Sequence, residues 1–187
     1  MTKSNIALDP NLDAAQVGGI SDLISFKLAR LTTLNDRIAQ RLISDRFGLS
    51  LREFRTVATI DYLGSATTAV LARESFLDHA QISRIVAGLI KRGLVERLGS
   101  VGRGGALQLT QAGKTLMRVG VPFASHHNDR LIAELSPEDR TSLFRLMDLM
   151  LHSAQERYAE VNGEISDLAR SFGSASATVL KGSASAT

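Results

Sequence analysis

The stretch Thr67 to Arg97, TTAVLARESFLDHAQISRIVAGLIKRGLVER, constrains this chain more than any other. Thr67 or Thr68 offers a cap for a short helix through Val70, Leu71 and Ala72, and Asp78-His79-Ala80-Gln81 offers a capping-box-like start for a second. Gly93 stands where that second helix should stop. Between those limits Ile82, Ile85, Val86 and Leu89 fall on one face. Ala80, Arg84, Ala87 and Lys91 fall on the other, with Gln81, Ser83 and Gly88 at its flanks. A short helix, a turn and an amphipathic helix predict a helix-turn-helix, whose second helix shows its polar face to the edges of DNA bases.

The residues that follow strengthen this expectation. Leu94 to Leu98 and Ala106 to Leu109 alternate apolar and polar around Gly102-Arg103-Gly104-Gly105, which predicts a β-hairpin, or wing. Arg103 at its tip suits a narrow minor groove. Between Arg73 and Arg103 six basic residues face three acids, so this segment alone carries a net charge of +3, equal to that of the whole chain. A local basic excess of this kind attracts phosphate. On the second helix Arg84 and Gln81 can reach base edges or phosphates, and His79 and Ser83 can donate to phosphates near the helix start. Ala80 is small enough to let the backbone approach the groove, and Lys91 adds charge.

Long helices flank this head. From about Val17 to Asp45 apolar residues recur at helical spacing, and Gly48 ends the run. Ser50-Leu51-Arg52-Glu53 is a capping box opening a helix that carries Phe54, Val57, Ile60 and Leu63 and closes at Gly64. Thr110 caps a helix predicted over about Gln111 to Leu135, which Pro122 should kink or break. Ser136-Pro137-Glu138-Asp139 starts a last, very apolar helix. Too apolar to be satisfied by one small head, the first helix and the last two helices predict a two-fold dimer.

The predicted fold is mainly α with a small β-hairpin wing, a winged helix-turn-helix joined to a helical dimerisation region. Its expected organisation is a flexible arm (1–16), an N-terminal dimerisation helix (17–48), the DNA-binding domain (49–110), C-terminal dimerisation helices (111–170) and a disordered low-complexity tail (171–187). The tail repeats Gly-Ser-Ala-Ser-Ala-Thr at Gly173 and at Gly182.

Other classes find little support. The absence of cysteine excludes disulfides, thiolate zinc sites and cysteine nucleophiles. No phosphate loop, HExxH or nucleophile elbow points to an enzyme. His126-His127 are adjacent on a helix and point about 100° apart, which suits one metal poorly, so neither a metal nor a cofactor is expected. With no apolar run long enough to span a bilayer and no signal peptide, a cytoplasmic location is expected, away from membranes. A winged-helix protein-docking module is the alternative, although the polar outward face lacks large apolar anchors.

The residues Val70-Leu71-Ala72, Leu77-Asp78, Ser83-Arg84, Leu89, Gly93-Leu94-Val95, Arg97 and Leu109-Thr110-Gln111-Ala112-Gly113 resemble, in order and spacing, the MarR family of bacterial transcription regulators. The likeness runs from about Ile20 to Tyr158. It implies a homodimer on inverted-repeat double-stranded DNA, usually a repressor, released by a small and often aromatic or phenolic effector. It also implies that Ser83 and Arg84 are the recognition-helix pair and Arg103 the wing arginine. One departure stands out: where the family's wing carries an aspartate and two arginines, this chain has Val101, Gly102 and Arg103. Phe26, Arg30, Phe54 and Tyr62 are the candidate effector-binding residues, in a pocket expected between the dimer helices and the head.

Overall fold

A computed structural model describes residues 19–99 and 105–182, with side chains up to Gly163. Among the described residues the chain is mainly helical, with one small antiparallel sheet. A 3-10 turn, Ile20–Asp22, precedes six helices: α1 Ile24–Phe47, α2 Leu51–Leu63, α3 Thr68–Ser75, α4 His79–Lys91, α5 Gln111–Leu131 and α6 Pro137–Gly182. Strands β1 Val95–Arg97 and β2 Leu107–Leu109 lie between α4 and α5. The chain divides into two compact units, one up to Asn128 and one from Asp129 onward.

Local chemistry fixes the element ends in the first unit. Gly48 stops α1 in the left-handed conformation, φ 64°, and its N–H bonds the Ser44 carbonyl. Ser50 and Glu53 form the full reciprocal capping box of α2. Thr67 caps α3 by accepting from the Val70 N–H. The turn between α3 and α4 is built on Phe76, the non-glycine described residue with positive φ (52°), while the Leu77 N–H reaches back to the Ala72 carbonyl. This is the hydrogen-bond pattern of a glycine-ended helix, set here on a side chain that left-handed backbone disfavours. Helix α4 ends in the same way on Gly93, φ 69°, with Gly93 N–H on the Ile90 carbonyl and Leu94 N–H on the Leu89 carbonyl.

The buried core belongs entirely to this unit and runs from Ala39 to Met117. Val57, Ile60, Ile82, Leu89 and Leu107 are fully enclosed. Phe47 stacks on Phe54 with ring centres 5.6 Å apart and meets Phe123 edge-on at 5.3 Å, joining α1, α2 and α5. The wing pairs Val95 with Leu109 and Arg97 with Leu107. A bridge from Ala66 to Leu107 adds a third short piece of backbone to it, with hydrogen bonds of 3.0 and 2.8 Å. Helix α5 then starts so close to the wing that a Cβ on Gly113 would lie 2.2 Å from the Leu94 carbonyl oxygen.

Several expectations need correction. The first helix begins at Ile24 rather than near Val17, because Leu23 is extended (φ −65°, ψ 129°) and separates it from the 3-10 turn. Helix α5 runs unbroken through Pro122 and ends at Leu131, four residues early. The stretch 171–182, expected to be a disordered tail, is helical backbone continuous with α6. Its alanines are the best helix formers, and its serines leave the intrahelical hydrogen bonds in place. Residues 1–18, which include the expected arm, and 183–187 lie outside the described residues, as do Val101, Gly102 and Arg103.

Candidate nucleic-acid interface

Helix α4 divides its residues as its sequence predicts. Ile82, Val86 and Leu89 are at most 1% exposed, and Ile85 packs against the same core. His79, Ala80, Arg84, Ala87 and Lys91 face solvent, so the helix is anchored along one side and open along the other. Asp78 caps it by accepting from the Gln81 backbone N–H at 2.7 Å. That bond, with a second from the Gln81 side chain, holds the Asp78 carboxyl below its usual range.

The exposed face is partly pre-arranged. Ser83 Oγ lies 3.4 Å from His79 Nδ1, one turn away. Arg84 Nε donates to the Ala80 carbonyl at 3.3 Å, which holds the start of its side chain along the helix and leaves the rest of the guanidinium fork presented outward. Gln81 is different from the expectation of a free reader. Its amide N–H bonds the Asp78 carboxylate, and its Oε1 accepts from Arg52 Nη1 at 3.0 Å. With one of its two amide protons and one of the oxygen's two lone pairs engaged, the side chain keeps one donor and one acceptor position open. Gln81 therefore holds the start of α4 in place, and Arg52, in the first turn of α2, is a cation beside the exposed face of α4 that the sequence did not single out.

The other end of α4 is tied to the same turn of α2. Arg92 Nη2 donates to the Gly48 carbonyl at 2.9 Å, and Arg92 Nη1 lies 3.6 Å from Glu53 Oε1. Adjacent residues of α2, Arg52 and Glu53, thus engage α4 at both of its ends.

The four candidate effector residues do not converge. Phe54 is locked in the aromatic core, 5% exposed. Arg30 lies over the Phe26 ring at 5.9 Å, and both line a shallow depression on α1. Tyr62, 89% exposed, lines a separate groove of about 690 Å³ with Asp36, Arg52, Arg55, Thr59 and Glu74. In that groove Asp36 receives a bidentate pair from Arg55, at 2.6 and 3.3 Å. His127 Nε2 lies 3.0 Å from Asn35 Oδ1, a structural use for one histidine of the adjacent pair. Among the described residues no group of three metal-ligating side chains converges, and no helix is long and apolar enough to cross a membrane.

A capped short helix, a tight turn, a half-buried helix with an open polar face and an antiparallel hairpin define a winged helix-turn-helix protein. Residues 47–104 match the sequence model of the MarR family. Solved structures agree in fold. A MarR family transcriptional regulator from Silicibacter pomeroyi is 20% identical with a TM-score of 0.65, over 76% of this chain and 96% of its own. A MarR/EmrR family regulator from Acinetobacter sp. is 21% identical with a TM-score of 0.65, over 71% and 94%. BpsR of Bordetella bronchiseptica, whose DNA binding is regulated by 6-hydroxynicotinic acid, is 22% identical with a TM-score of 0.62, over 72% and 97%. No curated protein sequence matches the chain.

Proposed function

We propose that this chain is a cytoplasmic, homodimeric, sequence-specific DNA-binding regulator, a repressor that leaves an inverted-repeat operator when a small aromatic or phenolic effector binds. The observation that carries the reading is the open face of α4, with Arg84, Lys91 and His79 exposed above a fully buried Ile82-Val86-Leu89 side. Helix N-terminal residues presented in this way enter a major groove, while a flanking hairpin reaches the adjacent backbone. Arg84 supplies the fork that matches a guanine edge, and Arg52 and Lys91 supply charge for phosphates.

Dimerisation is supported by the apolar residues that α1 leaves in solvent. Ile24, Leu28, Leu31, Ile38 and Leu42 recur at helical spacing, each 37–60% exposed, and a run this long marks a contact surface. For the effector, the groove beside Tyr62 offers an aromatic wall, the hydroxyls of Thr56, Thr59 and Ser75, and the Arg55–Asp36 pair, which an aromatic carboxylate could compete for. The regulation of BpsR by 6-hydroxynicotinic acid makes that ligand class the first to screen.

The test is selection of bound sequences from random duplex DNA at near-physiological salt. An enriched inverted repeat, with half-sites about one helical turn apart, establishes the regulator. Weak, salt-sensitive binding without enrichment overturns it in favour of a protein-docking module.

A further inference from the structure

Gln81 stands in the first turn of α4 between two groups of opposite charge, each able to bond only one end of its amide. The Asp78 carboxylate accepts from Nε2, and the Arg52 guanidinium donates to Oε1 at 3.0 Å. A guanidinium has no acceptor, and an ionised carboxylate has no donor. The Asp78 carboxyl is held below its usual range, which keeps it in that acceptor-only form. Turning the amide over would set its NH2 against the guanidinium and its oxygen against the carboxylate, losing two charge-assisted bonds together. A free glutamine takes either orientation; Gln81 has one.

The fold sets that orientation before any DNA arrives. Arg52 comes from α2, whose start is fixed by the Ser50–Glu53 capping box and by Gln40 of α1, whose Oε1 accepts from the Leu51 N–H at 2.9 Å. The Gln81 side chain is half-buried, with one N–H and one oxygen lone pair still open.

We infer that Gln81 is a specificity-determining residue and that the base it reads is adenine. In the major groove adenine offers an acceptor, N7, beside a donor, the N6 amino group, and these match the open N–H and the open lone pair. Guanine offers two acceptors, thymine an acceptor and a methyl group, and cytosine only a donor, so each leaves one half of the fixed amide unmatched or opposed. The inference deepens the proposed function and rests on α4 being the helix that enters the groove. Arg84 follows three residues later, about 4.5 Å along the helix axis, against about 3.4 Å per base step. The adenine should therefore lie within about two base pairs of the guanine assigned to Arg84. Arg52 acts through Gln81 and is a positioning residue.

The test is selection from random duplex DNA at matched salt, with the full-length chain and its Gln81→Ala, Arg52→Ala and Arg52→Lys variants. The wild-type repeat should hold an A·T pair in each half-site, preferred about 5- to 100-fold over the other pairs. In Gln81→Ala that preference should fall below about two-fold while the other positions keep theirs. Arg52→Ala should lower the same preference, and Arg52→Lys, which still donates to Oε1, should restore part of it. Loss of a phosphate contact would weaken binding to every sequence alike and leave this ratio unmoved. Each readout is a ratio within one variant, so a change in folded fraction cancels. Replacing the adenine by 7-deazaadenine in the selected duplex should weaken the wild-type chain several-fold and Gln81→Ala not at all. An unchanged preference in Gln81→Ala, or a base other than adenine at the position it alters, would overturn the inference and leave the regulator standing. An unchanged preference in Arg52→Ala would overturn the positioning role of Arg52. No enriched repeat with the wild-type chain would overturn the proposed function and this inference with it.

Discussion

Arg52 Nη1 donates to Gln81 Oε1 at 3.0 Å across 29 residues of sequence, and this bond joins the first turn of α2 to the first turn of α4. Arg52→Ala and Gln81→Ala should therefore act on one property. In a double-mutant cycle on operator affinity the two should couple by about 0.5–1 kcal/mol. Additive losses would mean that each contacts DNA independently.

Arg84→Ala should weaken operator binding about 5- to 100-fold and relax discrimination at one base pair in each half-site, with the melting temperature unchanged. Arg103→Ala should cost less, uniformly across sequences, and lower the salt slope by about one. Wild-type affinity in Arg84→Ala at matched salt would remove α4 from the reading role.

Two glycines should respond with opposite signs to one substitution. Gly113→Ala puts a methyl into the Leu94 carbonyl, a backbone atom that cannot turn aside, and should destabilise by roughly 1–3 kcal/mol or more. Gly163→Ala meets nothing within 4 Å and should stabilise by about 1 kcal/mol. Urea melts of the two variants decide both.

Acidification should loosen the cap of α4. The Asp78 carboxyl is held low by hydrogen bonds from Gln81, so its contribution is complete above the ordinary carboxylate range and is lost as pH falls through its lowered value. Asp78→Asn keeps an acceptor that does not titrate. Its melting temperature should fall less steeply than that of the wild-type chain below the carboxylate range, and parallel curves would show that the cap does not titrate with folding.

The buried face of α4 and its caps were legible because they depend on residues three and four apart. Ile82, Val86, Asp78 and Gly93 announce their roles locally, and so do Ser50 and Glu53. The role of Gln81 was not legible, because its partner Arg52 arrives from another helix. Among the aromatics, Phe54 and Tyr62 lie on the same helix, and neither the residue type nor the helix said that one would be enclosed by Phe47 and Gly120 while the other faced solvent. The left-handed turn at Phe76 carries no glycine signal at all. Serine and glycine content masks the helical backbone over 171–182.

The core that ends at Met117 has one more consequence. Among the described residues every fully enclosed side chain belongs to the head, so separating two subunits would strip the arms of their contacts without opening the head itself. Such a chain would persist as a folded single reader with one half-site in reach. Its grip on a double site would then rise with the square of its abundance, and a modest change in synthesis or turnover would alter occupancy steeply.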